Sequence, residues 1–105
     1  MSHSEQIRRW QEIEAYLRKA AQFLPDLMVS KDGVKSTQVK DALRLCFEFL
    51  DHNELELALY ELEYLGEENA VPPEYWQNLA AAAKLMELHE RANQSMDQFK
   101  RSQST

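Results

Sequence analysis

Glycine and proline are almost missing from this chain, which has only 2 Gly and 3 Pro among its 105 residues. Sandwiches and barrels of β-strands need such turn residues about every ten positions. The shortage therefore favours helices joined by a small number of turns. Because 105 residues suit one small hydrophobic core, we expect a single all-α domain over residues 1–105.

Apolar residues at spacings of three and four predict a small antiparallel bundle of four main helices. The first helix covers residues 4–24, with Ser2 and Glu5 as a capping box and a stop at Pro25. Its predicted buried face consists of Trp10, Ile13, Leu17, Ala20 and Leu24. Residues 25–37 form a connector with a Lys-Asp-Gly turn signal and room for a short extra helical turn.

The second helix runs from about Thr37 to Leu50, and the third follows after a short break at residues 51–53. The buried face of the second helix is predicted to hold Val39, Ala42, Leu43, Cys46, Phe49 and Leu50. The third helix is expected to begin with Asn53 as its N-cap and to end at Gly66. With so short a break, the two helices should form a hairpin.

The fourth helix starts at Pro73, a residue that suits the first helical position. Its predicted buried side chains are Tyr75, Trp76, Leu79, Ala82, Ala83 and Met86. The run of alanines over 80–83 allows close packing, so we expect this helix to be the central element. Residues 93–105 are polar and poor in branched apolar side chains, which predicts a frayed tail.

Charge is unevenly distributed along the chain, whose formal net charge is −6. No Lys or Arg occurs in the 39 residues from Leu45 to Ala83. That segment contains nine acidic residues: Glu48, Asp51, Glu54, Glu56, Glu61, Glu63, Glu67, Glu68 and Glu74. Either this is a plain soluble surface, or it is an acidic pole that attracts a basic partner.

The third helix has two apolar stripes on nearly opposite sides. Leu55, Ala58, Leu59, Leu62 and Leu65 form one stripe, while Leu57, Tyr60 and Tyr64 form the other. Carboxylates flank the second stripe, a layout typical of a protein-binding patch. We therefore predict partner-binding residues at Asp51, Glu54, Leu57, Tyr60, Glu61, Tyr64, Glu67 and Glu68. The alternative is a third helix sandwiched between the first and fourth, with both stripes buried.

Catalytic and metal sites are not indicated by the sequence. The three histidines, His3, His52 and His89, lack a second ligand in a recognised metal-binding spacing. Cys46 lies on an apolar face and is interpreted as a core residue. The glutamates occupy positions expected to be exposed, where their pKa values would not suit acid-base catalysis. We expect neither enzymatic activity nor a bound metal.

Other function classes are disfavoured by composition. Gly33 and Gly66 stand alone, so no glycine-rich phosphate loop is predicted and no cofactor is expected. An acidic chain is a poor partner for nucleic acid or anionic membranes. No stretch approaches the length of a membrane-spanning helix or a secretory signal. With one cysteine only, the expected location is the reducing cytoplasm.

Two segments of the chain resemble the MafI-like family of bacterial immunity proteins. They are N-E-L-E-L-A-L-Y-E-L-E-Y-L over residues 53–65 and P-E-Y-W-Q-N-L-A-A-A-A-K-L-M-E-L over residues 73–88. Proteins of this family share a polar turn before a Leu-Ala-Leu helix, an acidic loop, and an aromatic helix with a run of small residues. The similar region covers residues 53–88, about a third of the chain.

This resemblance implies neutralisation of a polymorphic toxin by stoichiometric protein binding in the bacterial cytoplasm. The setting would be contact-dependent growth inhibition or a type VI secretion system, and the toxin would be a basic protein, with a nuclease as the expected activity. The free protein is expected to be a monomer. A rival interpretation remains open, in which the chain is a helical adaptor that docks a partner helix mainly through apolar contact.

Overall fold

The computed structural model describes residues 2–24, 33–69 and 71–103, with the side chains of 5–24, 40–69 and 71–103. These residues form five helices: α1 (Ser2–Ala21), α2 (Gly33–Asp51), α3 (Leu55–Glu68), α4 (Pro73–Leu85) and α5 (His89–Gln103). No strand occurs in these three ranges. The all-α prediction is confirmed, whereas the predicted number of main helices is one too few.

Helix α4 lies at the centre of the fold, as its small and aromatic residues predicted. It packs against α1, α3 and α5, while α2 packs mainly against α3. Pro73 occupies the start of α4, where its missing N–H costs no helical hydrogen bond. The short turn over 52–54 joins α2 to α3, and the predicted hairpin of these two helices is confirmed.

One hydrophobic core joins the first four helices. The residues from α1, the turn after it and α2 are Ile13, Leu17, Ala20, Ala21, Leu24, Leu43, Cys46 and Leu50. The residues from α3 and α4 are Leu55, Ala58, Leu59, Leu62, Leu65, Tyr75, Trp76, Leu79, Ala82 and Ala83. Nearly all of these residues were predicted from helical spacing. No helix in the described parts of the chain is long and apolar enough to cross a membrane.

The ends of α1 and α2 differ from the prediction in detail. The N–H groups of Gln22, Phe23 and Leu24 donate to carbonyl oxygens of the last turn of α1, so the chain stops its helix close to the expected place. Helix α2 begins at Gly33, about four residues earlier than expected, so Gly33 belongs to the helix rather than to a turn with positive φ. Pro25, the connector turn within 25–32, and the side chains of Ser2 and Val39 lie outside the described residues.

Both predicted boundaries of α3 are wrong. Asn53 is not the N-cap; its φ is 60°, a left-handed conformation that asparagine tolerates and that reverses the chain after α2. Glu54 is the N-cap and makes no side-chain capping bond. Gly66 does not end the helix either, because α3 continues to Glu68 with Gly66 buried inside it.

The predicted frayed tail is wrong for residues 93–103, which belong to α5. Leu88, Ala92 and Phe99 pack partly against the core, and Ser95 is only 1% exposed. These positions repeat every three or four residues, so one face of α5 lies against α4. The face of α5 has the spacing of a buried helical stripe, but its residues are only weakly hydrophobic, so the sequence did not predict it.

Trp10 and Met86 were also predicted incorrectly as core residues. Trp10 is 39% exposed, although the residues one and two turns later, Ile13 and Leu17, are buried. Met86 is the C-cap of α4 and is half-buried. Met86 lies just past the last residue of α4, whereas Trp10 lies in the middle of α1 at a position that the neighbouring helices do not fully cover.

Candidate protein-binding surface on helix α3

The second apolar stripe of α3 is largely uncovered. Leu57 is 43% exposed and Tyr64 is 57% exposed, while the core stripe of the same helix is buried. The interpretation in which neighbouring helices bury both stripes is therefore wrong at these two residues. We use the name outer face of α3 for Leu57, Tyr60 and Tyr64 together with the carboxylates of Glu54, Glu61, Glu67 and Glu68.

Tyr60 differs from its neighbours because Arg91 of α5 lies on its ring. The guanidinium carbon is 3.8 Å from the ring centroid, a cation–π contact. The hydroxyl of Tyr60 donates a 2.6 Å hydrogen bond to Glu56, which raises the pKa of that hydroxyl. Tyr60 is consequently half-buried and held in one orientation.

Arg91 also ties α5 to α3 through Glu63. Its guanidinium donates a 2.5 Å hydrogen bond to the Glu63 carboxylate, which is only 9% exposed. Burial raises the pKa of Glu63; the positive charge of Arg91 opposes this rise, and the negative charge of Glu67 reinforces it. Arg91 was not predicted as a functional residue, although it precedes Ser95 by one turn on the same helical stripe, a spacing that indicates a side chain on the core side of α5.

The acidic residues between Leu45 and Ala83 are partly compensated by cations from other helices. Asp51 pairs with Arg18 of α1 at 3.3 Å, and Arg18 also pairs with Glu14 at 3.2 Å. Together with the Arg91 pair at Glu63, cations from other helices thus reach at least Asp51 and Glu63 among the nine carboxylates. Asp51, although predicted as a partner-binding residue, is engaged within the fold, yet its side chain remains 70% exposed.

The remaining predicted residues are distributed along the whole of α3. Glu54 and Leu57 lie at its start, Tyr64 in its last two turns, and Glu67 and Glu68 at its end, so the outer face is about 20 Å long at 1.5 Å per residue. Glu54, Glu67 and Glu68 are exposed, and Glu61 is half-buried. Leu57 and Tyr64 are thus exposed on either side of the half-buried Tyr60, and carboxylates lie on both flanks.

Glu61 faces α2, where its charge acts on Cys46. Burial raises the pKa of the Cys46 thiol to about 12, with a further contribution from Glu61 and an opposing one from Arg18. The thiol donates weakly to the Ala58 carbonyl at 3.9 Å. A thiol with so high a pKa stays protonated at neutral pH, so it is a packing group rather than a nucleophile.

A groove that the sequence analysis did not anticipate lies beside the start of α3. It has a volume of about 560 Å³ and is bounded by α1, the α2–α3 turn and the α4–α5 turn. Trp10, Leu57 and Met86 line it. We call it the α1–α3 groove. Trp10 lines this groove and is exposed. Its helical spacing in the sequence predicted a core position, and the groove was therefore not predicted.

Among the described residues, no three His, Cys, Asp or Glu side chains come together as metal ligands. The chain matches no protein-family model, no curated protein and no solved structure.

Proposed function

We propose that this chain is an immunity protein that neutralises a cationic bacterial toxin by stoichiometric binding through the outer face of α3. The observation that supports this best is the exposure of Leu57 and Tyr64 between carboxylates on both flanks of one helix. Burying these side chains against a partner would supply the apolar centre of an interface. The resemblance of residues 53–88 to MafI-like proteins agrees with this class of function.

The carboxylates would mainly increase the rate of association and the specificity for a basic partner. Glu54, Glu67 and Glu68 are exposed, so each contributes little to affinity by itself but adds to a negative field that attracts a basic surface. A nuclease cleft is such a surface, because it neutralises phosphates with Lys and Arg. The carboxylates of α3 would then occupy positions where nucleic-acid phosphates bind.

Arg91 prepares part of this surface before the partner arrives. Its contacts with Tyr60 and Glu63 fix a tyrosine that otherwise would lose rotational freedom on binding. The same arginine is a positive charge within an acidic surface, so a basic partner should contact the Leu57 and Tyr64 ends of the stripe more closely than its middle.

The direct test is co-expression with the protein encoded immediately upstream of this chain's gene, where an immunity partner is expected. Growth arrest by that protein should be relieved, and the two proteins should elute as a one-to-one complex. If that protein is harmless, or if it remains toxic when this chain is co-expressed, the proposal is wrong.

The placement of the interface is tested by reversing four charges together, with Glu54, Glu61, Glu67 and Glu68 changed to Lys. Association with the toxin should slow strongly at about 50 mM salt, where exposed charges act over more than 10 Å or so. The matched control changes Glu5, Glu12, Glu90 and Asp97 to Lys, four exposed acidic residues outside the outer face. Equal affinities for both variants at low salt would contradict this interface.

Salt dependence also separates the proposal from the helical adaptor. Association through the acidic face should slow by an order of magnitude or so between about 50 mM and about 500 mM salt. Docking of a partner helix through apolar contact alone should barely change over that range. A salt-independent complex would therefore favour the adaptor.

A further inference from the structure

The α1–α3 groove is an open surface of mixed character, to which three separate parts of the chain contribute apolar side chains. Trp10 of α1 and Leu57 of α3 line it and keep 39% and 43% of their surfaces exposed. Met86 and Leu88, from the α4–α5 turn, line the opposite part and are half-buried. Apolar side chains from α1, α3 and the α4–α5 turn are therefore exposed to solvent together in one groove.

The charged residues of the groove are mostly acidic. Glu54, Glu56 and Glu87 line it, and Arg9 is the one cation among the described residues that line it. All four are exposed. An occupant with positive charges beside an apolar side would complement this arrangement, whereas an acidic occupant would be repelled.

Both turns that border the groove contain a left-handed residue that is not glycine. Asn53 has a φ of 60° and Glu87 a φ of 62°. Asparagine tolerates this conformation, but glutamate has no such advantage and glycine would adopt it with less strain. The strained glutamate places a carboxylate at the groove, which adds to the negative charge of Glu54 and Glu56.

We infer that the α1–α3 groove binds an amphipathic helix of a basic partner, with apolar side chains against Trp10 and Leu57 and Lys or Arg beside Glu54, Glu56 and Glu87. A helix suits the groove because residues three and four apart lie on one side while neighbouring positions point to the rim. The inference rests on the proposed function, since the cationic protein bound by the outer face would supply this helix.

The probe is a stapled helical peptide of about 14 residues, or four turns. It has Leu at positions 3, 6, 7 and 10, which are the i, i+3, i+4 and i+7 positions of one helical face, and Lys at the polar positions. A second peptide has Glu in place of each Lys. Trp10 is a built-in reporter because it lines the groove, and Trp76 is buried with 4% exposure. The Lys peptide should shift the tryptophan emission to the blue, and the Glu peptide should not.

Two sets of variants locate the binding. Changing Glu54, Glu56 and Glu87 to Gln should lower the affinity for the Lys peptide by about tenfold or more. The matched control changes Glu61, Glu67 and Glu68 to Gln, which removes the same charge from the outer face beyond the groove. Leu57→Ser should also weaken binding, while Tyr64→Ser, at another exposed position of α3, should not. Trp10→Phe should abolish the emission shift, and circular dichroism should confirm that every variant is folded.

The inference is overturned if the Lys peptide binds without changing the Trp10 emission, or if both Gln variants weaken it equally. It is also overturned if no binding occurs at about 100 μM peptide, which corresponds to an affinity too weak for a specific groove. These outcomes leave toxin neutralisation by the outer face intact. Peptide binding in the groove together with failed neutralisation would contradict the proposed function instead.

Discussion

Leu62 and Leu57 are the same residue type on opposite sides of α3, with exposures of 0% and 43%. Removing a buried leucine side chain leaves a cavity and loses its transfer free energy, so Leu62→Ala should lower the free energy of unfolding by about 2 to 5 kcal/mol. Leu57→Ala is the matched control and should cost well under half of that. Urea denaturation of both variants measures the difference. A change below about 0.5 kcal/mol for Leu62→Ala would contradict the orientation of α3.

The raised pKa of Glu63 should make the stability of the protein depend on pH, and substitution of this residue isolates its contribution. Burial raises its pKa in the folded state above the ordinary value of 4.5, so the folded protein binds this proton more tightly than the unfolded chain. The resulting stability is fully present below the unfolded pKa and is lost as pH rises through the folded pKa. In Glu63→Gln that loss cannot occur.

The stability of Glu63→Gln relative to the unchanged protein should therefore increase as pH rises from about 4 to about 7. Denaturation midpoints at several pH values measure this difference. Glu12→Gln, at an exposed position of α1, removes the same charge and is the control. A relative stability that falls with rising pH would show that the Arg91 ion pair outweighs burial at Glu63.

At the scale of elements, Gly66 determines how closely α3 and α4 approach. A Cβ at this position would lie 2.7 Å from Tyr75 Cε1 and 2.8 Å from two ring atoms of Trp76. Tyr75 cannot move away easily, because its hydroxyl donates a 2.6 Å hydrogen bond to the Leu62 carbonyl. The two rings also pack edge to face, with centroids 5.6 Å apart.

Gly66→Ala should consequently lower the free energy of unfolding by about 1 to 3 kcal/mol, the usual cost of overpacking a core. Alanine favours a helix over glycine by about 1 kcal/mol, which offsets part of the clash. Tyr64→Ala, two residues earlier and exposed, controls for changes on α3 that do not affect packing. Thermal or chemical denaturation gives the answer, and a stabilised Gly66→Ala variant would show that α3 and α4 can separate without cost.

The helices themselves illustrate how far local patterns reach. The core faces of α2, α3 and α4 followed from apolar spacing, because each of those stripes is strongly hydrophobic. Helix α5 did not, since its face relies on Ala92, Ser95 and Phe99 and on an arginine whose partner is 28 residues away. A polar helix of this kind becomes recognisable only when the surface that it covers is known.

At the scale of the whole molecule, the excess of negative charge should destabilise the fold at low ionic strength. The net charge is −6, and most ion pairs in the described residues are exposed enough to contribute little. Added NaCl screens the repulsion between carboxylates more than it weakens these few attractions. The free energy of unfolding should therefore rise between about 20 mM and about 500 mM NaCl.

Denaturation at several salt concentrations measures this effect. Changing Glu54, Glu61 and Glu68 to Gln should make the rise smaller, because three of the repelling charges are removed from one face. Stability that falls with added NaCl would mean that ion pairs, such as the one between Arg91 and Glu63, dominate the electrostatics of the folded protein.

Local sequence patterns were enough to predict the helical class, the core stripes of α2 to α4 and the start of α4 at Pro73, whereas they left open whether Leu57 and Tyr64 are exposed. The predicted features depend on residues within a few turns of each other, where helical geometry relates spacing to direction. Other features became known from the packing of the helices: Arg91 covers Tyr60, Gly66 lies inside a helix, and Trp10 lines a groove. These features depend on which distant segments meet, and a residue's neighbours along the chain do not specify which helix will pack against it.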